Sequence, residues 1–375
     1  PAAFKTQLTI EEHQKAADYG SARLRLGQVK RVWGLGLVLA LLYSGVLGAW
    51  DSGLFDIFRS QITQPLAFLG LIGFLSWALS IPWSWYSHFK LEERFGFNRM
   101  TTATFWGDQV KGLVLSAILG GIILTPFFWL MKVAGIMWVV PALGIWVAFQ
   151  LLIMGIGVKI IAPLFNKFSP LENVELSERI AKLVEGAGFQ SSGVFVMDAS
   201  RRSGHGNAYF TGIGRHKRIV FFDTLLDKIT ANQILAVLSH EIGHLRHNHI
   251  WKGFFVSVLF SSVAFVALAW LQTRADFFVA FNLVPTPGPL LLMFALVAPA
   301  LTFPLTPFFS WRSRKHEYQA DQYAASTTSA QDLGDALLAL HRDNAASVVH
   351  DPLYSALYYS HPPLSLRLKA MGHRT

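Results

Sequence analysis

A mainly α, polytopic membrane protein with a small α+β insertion on one face is the fold this sequence predicts, and three observations predict it. Hydrophobic residues make up 52% of 375 positions and charged residues only 15%, with a mean hydropathy of +0.38; soluble domains carry roughly 25% charge. Six apolar runs approach or exceed the length needed to cross a hydrocarbon core of about 30 Å. One long polar stretch, residues 163–249, interrupts them and ends in His240-Glu241-Ile242-Gly243-His244.

Composition also excludes function classes. A net charge of +9 in a soluble chain would suggest nucleic acid, but the 12 Trp and 30 Phe are concentrated in the apolar runs. Basic loops lying on an anionic lipid surface account for the charge, so the expected partner is a bilayer and not nucleic acid. The absence of Cys excludes disulfides, thiolate metal ligands and a Cys nucleophile, so any metal site must be built from His and carboxylate.

Residues 1–31 are polar, with Lys15, Arg23, Arg25, Lys30 and Arg31 crowding towards the first apolar run. Neither an initiator Met nor a signal peptide opens the chain, so Pro1 is not taken as the native start. The first span is read over 32–50, where Gly34 and Gly36 suit helix packing, and a short loop follows from Asp51 to Gln64. The second, 65–89, has an aromatic end in Trp77, Trp83, Trp85 and Tyr86. A polar loop over 90–112 precedes the third, 113–131. A tight turn with Lys132 leads to the fourth, 137–161.

The insertion then reads as an amphipathic helix from Leu176 to Gly186, ended by Gly186-Ala187-Gly188, followed by three short strands. Those are 194–197, 207–210 and 218–222, with a turn around Gly212 and Gly214. Thr230-Ala231-Asn232-Gln233 is a capping box, and Ile234, Leu235, Val237, Leu238, Ile242 and Leu245 supply the apolar stripe of the helix bearing the histidines. The fifth span, 250–272, follows with neither Pro nor a Gly pair between. On a continuous helix Ile250 would lie about 9 Å beyond His244, at the membrane face. The sixth, 289–311, contains Pro299, Pro304 and Pro307, expected to bend it beside a cavity. The chain thus divides into an N-terminal membrane region (1–162), the insertion (163–249), spans five and six (250–311) and a C-terminal helical region (312–375).

Loop cations set the orientation. Connections after spans one, three and five carry Arg59, Lys132 and Arg274 respectively, while the opposite side carries the N-terminal cluster, Lys90, Arg94, Arg99, Lys111, the insertion, Arg312, Arg314 and Lys315. The positive-inside rule therefore places both ends and the histidine helix in the cytoplasm.

The chemistry follows from His-Glu-x-x-His. Residues four apart on a helix lie about 40° apart, so His240 and His244 can grip one Zn²⁺, with Glu241 one step round as a base for water at the metal. With 13 His in the chain the pattern arises by accident on the order of once in a hundred such sequences, so its helical context decides. Gly243 inside the helix suits a close backbone approach. A catalytic site needs a third protein ligand. Glu317 is the candidate, since the two intervening spans return the chain to the same side, and Asp321, one turn on, is placed to hold an imidazole. By spacing alone, a charged helix face after a membrane span is an equal reading.

Further motifs then combine: EERFGFNR (92–99), APLFNKF (162–168), RSGHGNAYFTG (202–212), KRIVFFDTLL (217–226), SRKHEYQADQYA (313–324) and DPLYSALYYSHPPLSLRL (351–368). In this order, over nearly the whole chain, they resemble the type I CAAX prenyl proteases, integral-membrane zinc endopeptidases that process prenylated a-factor and prelamin A. The resemblance implies a ring of six to seven helices around a water-filled intramembrane chamber, with a gluzincin-like metalloprotease insertion at its cytoplasmic end. It implies a bacterial inner membrane, or the endoplasmic reticulum and inner nuclear membrane. By the same resemblance His240, His244 and Glu317 bind one zinc, Glu241 is the base, Asn207 and Ala208 bind the extended peptide, and His361 steadies the oxyanion. Without it, His361 reads as a loop-capping residue. His205 and Arg367 are weaker, structural candidates. The family has seven helices and six spans are found here, so its first helix is absent or lies upstream of Pro1.

The function expected is metal-dependent peptide hydrolysis in a membrane, with a heat-shock-type quality-control protease as the alternative within the class. A transporter or receptor gated by metal is the alternative outside it, and Glu241 argues against that, since a metal carrier needs no base there.

Overall fold

The computed structural model describes residues 8–211 and 216–373; the turn expected around Gly212 and Gly214 lies outside them. Helix α1 (Ile10–Tyr43) starts at a capping box in which Thr9 and Glu12 exchange side-chain bonds. It runs 34 residues, about 51 Å, so the polar residues before Val32 continue the first span as helix. The span expected over 32–50 breaks at Ser44 and Gly45, where Gly45 adopts φ +74°, and a second helix, α2 (Val46–Phe58), follows. Asp51 therefore lies in a helix and not in a loop. Its buried carboxylate accepts from Gln64 at 2.6 Å and from Thr286 at 3.1 Å, which offsets part of the cost of keeping it out of water.

The next spans exist as expected but run further. Helix α3 (Thr63–Tyr86) continues as a π-turn through Glu92, and α4 (Thr102–Val133) begins at the Thr101 cap, eleven residues before Leu113. The expected polar loop shortens because its polar side chains find protein partners. Asp108 takes Arg202, Gln109 takes the Trp77 indole, and Lys111 takes the Leu164 carbonyl. Helix α5 (Val139–Ile156) is extended by a 3-10 turn before it and a π-turn after it, and α6 (Ala162–Phe165) leads out of the membrane layer.

The insertion forms a four-stranded sheet of order β1-β2-β4-β3, from β1 (Phe168–Pro170), β2 (Gln190–Met197), β3 (Ala208–Thr211) and β4 (His216–Phe222). Only the β2–β4 pair is parallel. Strand β1 was not anticipated, since three residues carry no periodicity. Helices α7 (Val174–Gly186), α8 (Asp223–Leu226) and α9 (Ala231–Arg246) cover the sheet, and Ile180, Ile219, Phe221, Leu225, Leu238 and Ile242 close their shared core.

Helix α9 does not run on into the fifth span. Asn248 adopts φ 55°, in the left-handed region that Asn tolerates better than most residues, and α10 (His249–Gln272) starts afresh. After the short α11 (Ala275–Val279), the sixth span is α12 (Pro287–Thr302), a 3-10 turn over 303–305, and α13 (Thr306–Thr327). The prolines interrupt the span, and α13 then carries Glu317 well past its apolar part. Helices α14 (Ala330–Asp343), α15 (Pro352–Tyr358) and α16 (Leu364–Met371) pack back on α9 and α13.

In the membrane layer α3 contacts α4, α4 contacts α5, α5 contacts α10, α10 contacts α12, and α12 contacts α3, so the ring closes. Its buried side chains, including Phe68, Phe128, Trp138, Phe278 and Leu290, cluster at the end remote from the insertion. Among the described residues, six helical runs are long and apolar enough to cross a membrane.

Candidate metal centre and active site

Helix α9 turns Ile234, Leu238 and Ile242 towards the sheet, which leaves His240 and His244 on the face that meets α13. The crossing is close because Gly243 has no side chain: a Cβ there would stand 2.9 Å from the Ala320 Cα. Glu317, three residues before Ala320, is thereby brought against both imidazoles.

The three groups converge. His240 Nε2 and His244 Nε2 are 3.2 Å apart, and each lies 3.5 Å from a Glu317 carboxylate oxygen. A tetrahedral cation bound at about 2.0–2.1 Å requires ligand atoms about 3.3–3.4 Å apart. These residues fit it, and they are the one group among the described residues able to hold a metal ion.

Each ligand is held from behind. His240 Nδ1 lies 2.9 Å from Asp321 Oδ1, and Arg367 clasps Asp321 with two bonds of 2.8 and 2.6 Å while standing 3.6 Å from Glu317. His244 Nδ1 lies 2.9 Å from His249 Nδ1. His361 Nε2 reaches to 3.5 Å of Glu317 from an exposed loop after α15. Arg314 secures that loop through the carbonyls of Ser355, Ala356 and Tyr359.

Electrostatics separate the two histidines. Burial pulls His240 down, but bonds to Asp321 and Glu317 outweigh it and raise its pKa to about 9. Burial, joined by the neighbouring His240 charge, lowers His244 to about 4. Glu241 is pushed above the usual carboxylate range by burial, which suits a group that must both take and return a proton.

A cavity of about 180 Å³ brings together Asn207, Ala208, His240, Glu241, His244, Glu317, His361 and Arg367. A second cavity, of about 420 Å³, shares Glu241, His244, Glu317 and His361 with it and is lined also by Tyr209 and Phe210. Strand β3 borders both and is an edge strand. Phe222 N–H bonds to the Asn207 carbonyl, so by the alternation of an antiparallel ladder Ala208 and Phe210 turn their main-chain groups away from β4, along the edge, where the Asn207 side-chain oxygen accepts from the Ala208 N–H at 2.8 Å.

Comparison with known proteins accords with this geometry. Residues 1–167 match the family described as CAAX prenyl protease N-terminal, five membrane helices, and residues 170–375 match peptidase family M48. The chain belongs to peptidase family M48. Among M48 relatives, CAAX prenyl protease 1 of Saccharomyces cerevisiae is 38% identical over 343 residues, covering 84% of this chain and 73% of that protein. The CAAX prenyl protease 1 homolog of Homo sapiens is 32% identical, covering 89% and 80% respectively. The crystal structure of S. mikatae Ste24p superposes with a TM-score of 0.93 at 34% identity, covering 100% of this chain and 92% of that one. The protein is accordingly an integral-membrane metalloendopeptidase acting on peptides or proteins.

Within this M48 chain the structure gathers His240, Glu241, His244, Glu317, Asn207, Ala208 and His361 around one cavity and sets Asp321 directly behind. It does not bring His205 there. That ring stacks on Phe97 at 4.6 Å and bonds Asn344 at 3.0 Å, bracing the insertion. Arg367, ranked low from sequence, stands at the centre. His249 and Gln319 were missed, and the available signal was a fourth histidine in the run His240, His244, His247 and His249, five residues beyond His244.

Proposed function

We propose that this chain is a zinc-dependent membrane endopeptidase that cuts near the C-terminus of prenylated proteins, with its site on the cytoplasmic face. One observation carries the reading: three metal-binding residues whose ligand atoms all lie within 4.8 Å of one another, the half-buried Glu241 carboxylate and a strand edge line adjoining cavities. The absence of Cys, and a donor set of two imidazoles and a carboxylate, favour zinc.

His240, His244 and Glu317 hold the ion, and Asp321 fixes the His240 tautomer by accepting its Nδ1 proton. When bound, zinc supplies Lewis acidity to a water and to the scissile carbonyl. Glu241 takes the proton of the attacking water and delivers it to the departing amine. His361, exposed at the rim of the cavity with Nε2 facing Glu317, donates from Nε2 to the developing oxyanion. Ala208 and Phe210 pair with the extended peptide through main-chain groups, which orients it without demanding a sequence; Asn207 precedes them at the cleft. Lys90, Arg94, Arg99, Arg312, Arg314 and Lys315 flank the insertion end of the ring and favour its cytoplasmic placement.

The test uses purified protein on three substrates: a farnesylated peptide ending in a CAAX box, the same peptide without the lipid, and an unfolded membrane protein. Faster cleavage of the farnesylated peptide is expected. Equal or faster cleavage of the unfolded protein would replace this reading with quality-control proteolysis.

A further inference from the structure

We propose that His249 is a positioning residue for the metal: it accepts the Nδ1 proton of His244 and so fixes the tautomer that turns the His244 Nε2 lone pair towards the ion. The inference rests on His240, His244 and Glu317 being the ligands.

The argument begins with valence. A neutral imidazole that binds metal through Nε2 must carry its proton on Nδ1. The atom 2.9 Å from His244 Nδ1 is His249 Nδ1, which must therefore be the acceptor. His249 then carries its own proton on Nε2, and that nitrogen lies 2.9 Å from Gln319 Oε1, a carbonyl oxygen. The chain His244 to His249 to Gln319 thus has one consistent assignment of protons and ends on a group that does not ionise. His240 is backed instead by the Asp321 carboxylate.

The fold holds His249 for this purpose. The residue is buried, and its ring lies on His316 at 3.9 Å with only 7° between the planes. On a continuous helix, a residue five beyond His244 would point about 140° away from it. The left-handed Asn248 breaks the helix and returns His249 to the His244 face. Gln319 and His316 belong to α13, which also carries Glu317, so the same contact locks the start of α10 to the helix that delivers the third ligand.

Metal affinity, measured by chelator competition on the purified full-length protein, tests this with three variants. His249→Phe keeps the ring and removes the acceptor. His249→Asn keeps an oxygen close to the Nδ1 position, and His249→Gln places its amide near the Nε2 position. His249→Phe is expected to weaken zinc binding 10–100-fold, the usual effect of losing such a partner. His249→Asn should retain affinity within a few-fold, and His249→Gln should fall with the Phe variant. Unchanged affinity in His249→Phe, or equal losses in the Asn and Gln variants, would overturn the proposal; the Asn and Gln pair decides the matter if the Phe variant does not fold. A wild-type protein that takes up no zinc would instead overturn the ligand assignment itself, a result read without any variant.

Discussion

Gly243 and Ala320 form the closest crossing of the two helices that build the site: a Cβ on Gly243 would lie 2.9 Å from the Ala320 Cα and 3.1 Å from its carbonyl oxygen. Both clashes are with backbone, so relief requires α9 and α13 to separate. Gly243→Ala, which on an isolated helix would gain about 1 kcal/mol, is therefore expected to cost about 1–3 kcal/mol through overpacking and to pull Glu317 away from the imidazoles. Zinc content after dialysis should fall while helical circular dichroism is preserved. Full zinc retention would show that the crossing has slack.

Metal binding should strengthen with pH in a defined window. Zinc takes neutral imidazole. In the metal-free protein His240 is raised from 6.5 to about 9 and His244 is lowered to about 4. Between those values binding expels one proton, from His240, so apparent affinity should rise about tenfold per pH unit and level off near pH 9. The metal-free fold should respond in the opposite sense. A raised histidine stabilises it below pH 6.5 and ceases to do so as pH climbs through about 9. Chelator competition and thermal unfolding across pH 6–10 check both; a flat affinity profile contradicts the assignment.

Much of this arrangement was legible in the sequence, because it depends on local pattern. The capping box at Thr230 and the apolar stripe of α9 were enough to pair His240 with His244; the return of the chain after two spans only permitted Glu317, and the combined motifs singled it out. The breaks at Gly45 and Asn248 were not legible, since each is decided by remote partners. Asp51 is held by Gln64 and Thr286, and His249 by Gln319. The span ends were misjudged for a related reason. Hydropathy registers Asp108 and Lys111 as polar and stops the helix, whereas Arg202 and the Leu164 carbonyl satisfy them and let α4 continue.

Arg367 is buried against two carboxylates, Asp321 and Glu317. Arg367→Met leaves the two carboxylates sharing the His240 imidazolium as their counter-charge and should destabilise the metal-free protein by about 3 kcal/mol, the lower end of the usual cost of breaking a buried pair. Arg367→Lys restores charge but not the two-pronged bond to Asp321, so its unfolding temperature should fall between those of Met and wild type. An Arg367→Met protein as stable as wild type would mean that the His240 imidazolium alone balances Asp321.

Glu241 offers the most direct test of the central claim, that His240, His244 and Glu317 hold a metal which serves hydrolysis through this carboxylate. In Glu241→Gln, zinc content and cleavage of the farnesylated peptide should be measured on the same preparation. One zinc per chain, with turnover reduced at least 100-fold as expected on losing a general base, is the predicted result. Cleavage at the wild-type rate with zinc retained would contradict it.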